Sequence, residues 1–406
     1  MKKIIIIFTI LIAMAINANA QWTLQTSGKT NDFYSVYFID ANNGFVVGDD
    51  DGMGSGGMIL KTTNGGTTWT PQISNTYSIL NSVRFTDLNT GYIVGGSGLI
   101  LKTTNGGSTW TPQTSNVSGN LKSIFFTSAT TAYVVGSGGI ILKTVNSGTT
   151  WTTQNSGRTN LLKSVHFINA TTGYAVGDSA TILKTTNGGT TWTAQNSGIT
   201  GMFKNLNAVY FTDVNTGYAV GQSGKIIKTT NGGTTWTAQT TNVTNDIFSI
   251  QFLDANTGYA VGWTKVLKTT NGGTTWTVQS SGISGNYDNL NAVFFINANL
   301  GYTVGLKGRI LKTTNGGSVG INENTSALNF RMYPNPASDY FTIISNDKNN
   351  STSTVNIYNA IGKLVKTESM NQNQQTINSK ELSNGIYLVE IKTKEKTSTQ
   401  KLLIQR

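Results

Sequence analysis

The sequence predicts an all-β chain: a seven-bladed β-propeller closed by its own N-terminal strand, followed by a small C-terminal β-sandwich. Three observations carry this reading. The segment Lys61 to Trp69 returns with its asparagine at 64, 105, 146, 187, 231, 271 and, in a clipped copy, 315, in steps of 40 to 44 residues. A Gly-Tyr-x-Val-Gly signature, as at Gly173 to Gly177, precedes these copies and occurs seven times with minor variation. The two ends of the repeat region are complementary, because Trp22-Thr23-Leu24-Gln25 matches the piece that the last unit lacks after Ser318.

Each unit reads as four short strands. The first is an apolar alternation such as Ser82-Val83-Arg84-Phe85 or Ala208-Val209-Tyr210-Phe211, and the second is the Gly-Tyr-x-Val-Gly run. The third is Ile-Leu-Lys-Thr, and the fourth follows the tryptophan. Four strands in about 40 to 45 residues make one propeller blade. An N-terminal strand that completes the last blade closes the ring and removes its free sheet edges. Seven of the eight tryptophans, at 22, 69, 110, 151, 192, 236 and 276, open the fourth strands, which leaves Trp263 outside the pattern.

The turn from Thr62 to Trp69 resembles the Asp box of bacterial neuraminidase-type repeats, with Asn64 where aspartate is usual. Its chemistry is local. The Asn64 side chain and threonine hydroxyls can bond turn backbone, Gly66 permits a positive φ, and Trp69 can bury its ring between blades. Asp40, Asp87, Asp213 and Asp254 share one repeat position with Ser128, Asn169 and Asn297, which makes them turn formers. The lysine of each third strand is expected in a solvated ring. Residues that recur in every blade are poor candidates for a single site, so a site belongs where the units differ.

The flanks have their own signals. Lys2 and Lys3, the apolar run from Ile4 to Ile16 and Ala18-Asn19-Ala20 predict a signal peptide over 1–20. No later segment is apolar enough to span a bilayer as a helix. There are no cysteines, which excludes disulfides and thiolate chemistry. The net charge of +11 is spread without a basic cluster, so no nucleic-acid partner is expected. The expected divisions are a propeller over 21–319, a linker over 320–329 and a last domain over 330–406, in a monomer without cofactor.

Loops joining second to third strands, and those joining blades, should share one face around the channel mouth. The irregular residues there form the expected binding face: Tyr77, Arg158, Phe203, Lys204, Asp246, Trp263, Lys265, Tyr287, Asp288, Lys307 and Arg309. Asp49, Asp50 and Asp51 are weak candidates for Ca²⁺ and lack the alternating spacing of an EF-hand loop. Trp263 is read as an aromatic platform or as channel filling. His166, the sole histidine, falls where other blades carry Tyr37, Arg84, Phe125, Tyr210, Gln251 and Phe294, and is read as a packing residue.

Catalysis finds little support in the inventory. Asp-box propellers include sialidases, which use a glutamate-activated tyrosine and three arginines. Here no glutamate occurs between Gln21 and Asn322, and Arg84, Arg158 and Arg309 occupy non-equivalent repeat positions. The alternative is a glycoside hydrolase using two aspartates, a role open to Asp49–Asp51, Asp178, Asp246 and Asp288. The repeats more closely resemble the photosystem II assembly and stability factor type, which implies a protein-binding scaffold.

From Phe330 the chain resembles the type A sorting domain of the type IX secretion system of Bacteroidetes. The matching residues are Tyr333-Pro334-Asn335-Pro336, the strand before Gly362-Lys363, the run from Leu382 through Gly385 to Ile391, and the terminal Lys401 to Arg406. That resemblance implies export by the type IX machinery, handling by its sorting peptidase, and a cell-surface or extracellular location. The expected function is a secreted non-catalytic propeller that binds a protein or glycan.

Overall fold

The computed structural model describes residues 21–49, 56–202, 204–283, 288–317, 330–345, 353–360, 362–370, 373–392 and 397–406. The expected signal peptide and linker lie outside them. The chain divides into two compact units, Met1–Val319 and Gly320–Arg406.

The first unit is a β-propeller of repeated four-stranded antiparallel sheets. One sheet runs Phe33–Phe38, Gly44–Gly48, Met58–Thr62, Thr70–Gln72 from the inside out. The innermost strands of the others are Leu80–Phe85, Leu121–Phe126, Leu162–Phe167, Leu206–Phe211, Ile247–Phe252 and Leu290–Phe295. Each innermost strand contacts the next, and Leu290–Phe295 returns to Phe33–Phe38, so the cycle closes. Its outermost strand in the last sheet is Thr23–Gln25, paired as Thr23↔Lys312, Leu24↔Leu311 and Gln25↔Ile310. The N-terminal segment therefore completes the last sheet as its sequence predicts.

Packing between sheets follows one recipe. At most seams a second-strand tyrosine of one sheet stacks on the last phenylalanine of the next sheet's inner strand, and the Asp-box tryptophan meets that phenylalanine edge-on; Phe45 takes the tyrosine's place against Phe85, and Tyr92 meets Phe126 tilted at 43°. Tyr302 lies 3.9 Å from Phe38, with Trp69 at 5.9 Å and 84° to it. At the join, Tyr259 lies 3.9 Å from Phe295, with Trp22 at 5.6 Å and 87°. Each such ring buries about 150–250 Å². Trp22 is 1 % exposed, so the N-terminal strand is bound by a core residue as well as by its ladder.

The Asp-box turns work as their residues predict. Thr62 Oγ1 accepts from the Gly66 amide at 2.9 Å and donates to Asn64 Oδ1 at 3.0 Å, which in turn accepts from the Thr68 amide at 2.9 Å. Gly66 sits at φ +82°, and a Cβ there would lie 3.1 Å from the Tyr302 ring. On the other turns of that face, Asp40 Oδ1 accepts from the amides of Asn42 and Asn43 at 2.8 and 2.7 Å.

The third-strand lysines depart from expectation. Instead of forming a solvated ring, each is half-buried and reaches across to the next sheet. Lys61 Nζ donates to Gly106 O at 2.7 Å, Lys184 to Gly232 O at 2.6 Å and Lys312 to Gly65 O at 2.7 Å. Each ammonium also lies over an aromatic ring, as Lys184 does over Tyr174 at 5.6 Å. The reason is that the turn carbonyl points into the inter-sheet seam, where the ammonium satisfies it together with the second-strand tyrosine hydroxyl, or without one where Phe45 stands in the tyrosine's place.

The second unit holds two antiparallel sheets. One contains Phe330–Tyr333, Tyr340–Ser345 and Gln374–Asn378, and the other Leu364–Met370, Ser353–Asn359, Gly385–Lys392 and Thr397–Ile404. Phe341, Ile343 and Ile377 from the first share one core with Val355, Ile357, Val389, Ile391 and Leu402 from the second.

Candidate binding face and channel mouth

The strand direction puts the second-to-third-strand loops beside the loops that join sheets. Hydrogen bonds tie the two sets together: the Ser97 amide donates to Asn120 Oδ1 at 3.1 Å, Ser223 to Asp246 Oδ1 at 2.9 Å and Lys307 to Asp32 Oδ1 at 2.9 Å. Asp246 is thus a loop clamp between neighbouring sheets.

The other expected face residues fall into separate places. Asp288 is buried and holds Lys307 at 3.0 Å and Arg309 at 2.8 Å. Burial would raise the Asp288 carboxyl, but the Lys307 hydrogen bond and the two cationic charges outweigh it and hold it below the usual range. Arg158 and Lys204 flank one shallow rim depression, while the well-exposed Tyr77 flanks another beside Ile73. Trp263 is half-buried in the hairpin turn before Lys265, which is exposed. Asp49 accepts from the Asp32 amide at 3.0 Å and the Tyr34 hydroxyl at 2.9 Å. Asp50, Asp51, Phe203 and Tyr287 lie outside the described residues, and no cluster of three metal-ligating side chains occurs among those described.

The channel itself is lined by two rings of inner-strand residues. The waist contains His166, 4.9 Å from Phe125 and 4.7 Å from Tyr210, with Tyr37 5.0 Å from Phe294 and the Arg84 guanidinium 5.3 Å over Tyr37. His166 is a packing residue there, as its repeat position implies. Its desolvation, offset in part by a backbone hydrogen bond at Phe211 and reinforced by Arg84, takes the imidazole down to about 4.

The second ring, nearer the loops, escaped the sequence reading. Tyr34, Asn81, Lys122, Lys163, Asn207, Phe248 and Asn291 surround a cavity of about 320 Å³. A strict two-residue alternation would put Lys122 and Phe125 on opposite faces of their strand. Every inner strand, however, carries a bulge at this position, as between Leu121 and Ser123, and the extra residue turns both side chains to the channel. The amides brace the ring: Asn81 Nδ2 donates to Leu121 O, Asn207 to Ile247 O and Asn291 to Phe33 O, each at 2.8 Å. Lys163 pairs with Asp178 at 2.7 Å, and Lys122 Nζ lies 3.3 Å from Asn81 Oδ1.

This architecture agrees with sequence families. Segments 14–112, 70–145, 145–240 and 198–279 match the photosynthesis system II assembly factor YCF48. The chain belongs to the YCF48 family. Residues 331–405 match the secretion system C-terminal sorting domain, which marks the chain for export by type IX secretion to the cell surface or extracellular space. Among solved structures, a YCF48 bound to a D1 peptide is 22% identical at a TM-score of 0.61, with 73% of this chain and 96% of that one aligned. The YCF48 of Cyanidioschyzon merolae is 20% identical at 0.59, over 72% and 98%. PorZ, a surface component of the type IX system of Porphyromonas gingivalis, is 13% identical at 0.56, over 93% and 60%. No curated protein matches the chain.

In the sorting domain of this YCF48-family chain the motif residues come together. Asn335, between Pro334 and Pro336, donates from Nδ2 to Lys401 O at 2.8 Å and accepts from the Leu403 amide at 2.9 Å, which clips the Tyr333 segment to the terminal strand. Gly362 at φ +80° and Lys363 close a turn on Asn359. Gly385 opens the strand paired with the chain's last one, opposite Ile404. No helix among the described residues is long and apolar enough to cross a membrane.

Proposed function

We propose that this chain is an exported, non-catalytic, seven-bladed propeller that binds a protein or glycan partner through its loop face and channel mouth. The observation that carries the reading is the contrast between two kinds of position. Polar residues common to every blade are consumed in bracing the fold, whereas Arg158 and Lys204 at a rim depression and Tyr34, Lys122, Lys163 and Phe248 at the mouth occupy positions whose residue type changes from blade to blade. The aromatic, amide and cationic mixture at the mouth suits recognition. A YCF48 that holds a peptide supports the binding habit.

The competing reading is a glycoside hydrolase with two aspartates. Against it, each described candidate carboxylate already has a bracing partner: Asp49 with Tyr34, Asp178 with Lys163, Asp246 with Ser223 and Asp288 with its two cations. A general acid needs a raised pKa, and Asp288 is shifted the other way.

The test is an array of glycans and bacterial surface proteins probed with the chain from residue 21 onward, repeated with Trp263→Ala and Lys122→Met. The reading expects a saturable ligand that is released unchanged. Turnover of a bound glycan would overturn it, as would no binding on either array.

A further inference from the structure

The channel mouth has a polarity across it. Around the ring, Lys122 and Lys163 are neighbours on one arc, and Phe248, Asn291 and Tyr34 make up the opposite arc. Lys163 is paired with Asp178 at 2.7 Å, but no carboxylate lies within ion-pair distance of Lys122 among the described residues. Its nearest polar partner is an amide oxygen at 3.3 Å, longer than a strong charge-assisted bond. Burial and the neighbouring Lys163 charge both press the Lys122 ammonium downward, which is the electrostatic condition that an incoming anion relieves.

Resting on the reading of the chain as a binding propeller, we propose that this mouth is a site for an acidic sugar, a hexuronate residue, with its carboxylate on Lys122. Three features select that chemistry. The cavity of about 320 Å³ falls at the small end of ligand pockets, suited to a ring-sized group. The half-buried face of Phe248 offers an apolar platform for the C–H face of a pyranose. Asn81 lies between Lys122 and Tyr34, Asn207 between Lys163 and Phe248, and Asn291 between Phe248 and Tyr34; each spends one side-chain N–H on a backbone carbonyl and keeps a second N–H and a spare oxygen lone pair, as sugar hydroxyls require. A peptide C-terminus would supply the carboxylate without the hydroxyls that match the amides' remaining donors and acceptors. The nearby acids do not compete for Lys122, since Asp178 holds Lys163 and Asp49 receives the Tyr34 hydroxyl.

The experiment is a ligand-observed NMR titration of the chain from residue 21 onward with D-glucuronate, D-glucose and N-acetyl-phenylalanine. It is repeated on Lys122→Met, Lys122→Gln and Phe248→Leu, with melting curves to show that the variants fold. The expected result is saturable glucuronate binding, weakened at least tenfold by either Lys122 substitution and severalfold by Phe248→Leu. D-glucose and N-acetyl-phenylalanine should each bind at least tenfold more weakly than glucuronate. No glucuronate binding, equal binding of glucose, tighter binding of N-acetyl-phenylalanine, or wild-type affinity in a folded Lys122 variant would each overturn the proposal. An array partner found without glucuronate binding removes this site and leaves the binding-propeller reading intact.

Discussion

Lys312 in the last sheet places its Nζ 2.7 Å from the carbonyl oxygen of Gly65 in the first Asp-box turn, 247 residues earlier in the chain. The same contact joins every adjacent pair of sheets, so the seam that closes the ring is built like all the others. Replacing Lys312 with Met removes the ammonium from the Gly65 carbonyl and from the Tyr302 ring, 5.6 Å away. The expected loss is about 1–3 kcal/mol in urea unfolding, from a hydrogen bond to a charged group plus a cation–π contact. An equivalent loss is expected for Lys184→Met, whereas a seam weaker than the internal ones would make Lys312 the cheaper change.

Trp22 supplies the core residue that the last Asp box lacks, and it packs edge-on to Phe295. Trp22→Ala should cost about 3–5 kcal/mol, the usual range for a buried aromatic truncated to alanine. Chemical denaturation of the two proteins measures it. A loss below about 1 kcal/mol would mean that the N-terminal strand is loosely held.

In the turn at Thr185, the hydroxyl accepts from the Gly189 amide at 2.9 Å and donates to Asn187 Oδ1 at 3.0 Å. Thr185→Val leaves a buried amide without its acceptor and should lower stability by about 1–3 kcal/mol. Asn187→Asp keeps the oxygen that the Thr191 amide and Thr185 hydroxyl use, so its melting temperature should stay close to that of the parent protein. Differential scanning calorimetry on both variants distinguishes a turn held by acceptor geometry from one that needs the Asn187 amide's own donation to Thr191.

His166 predicts an acid-sensitive step. Its folded pKa, about 4, lies below the ordinary value of 6.5, so the unfolded chain takes up the proton first. Stability is unaffected by this group above about 6.5 and declines as pH falls from there toward 4. His166→Phe, which copies Phe125 and Phe294 at the same repeat position, should flatten that decline. Urea midpoints at pH 7 and pH 4.5 provide the check, and a parallel loss in both proteins would place the acid sensitivity elsewhere.

The period of the repeat, its four strands and the complementary ends were legible because each is a local pattern copied many times. Trp22 could be assigned to the last sheet from its match to Trp69 alone. The lysine seam was not legible, since nothing local tells that Lys61 reaches Gly106 in the next repeat. The channel ring was hidden for another reason: alternation puts Lys122 and Phe125 on opposite faces, and only the bulge brings both inward. Loop irregularity marks solvent-facing variation such as Arg158 and Tyr77. It misses variation on an inner strand. Asp246 makes the clamp that Asp32 and Asn120 make in other sheets, whereas Asp288 differs from its repeat counterparts and braces Lys307 and Arg309.

Ring closure by the N-terminal strand is the claim on which the channel and its mouth depend, and a cross-link tests it directly. The chain has no native cysteine, and Thr23 and Lys312 are cross-strand partners, whose Cα separation of about 4.5–5.5 Å suits a disulfide. With Thr23→Cys and Lys312→Cys introduced together, mild oxidation of the folded protein should give a nearly complete intramolecular disulfide, read by mass spectrometry after proteolysis. Free thiols, or a disulfide formed only between molecules, would contradict the closed ring.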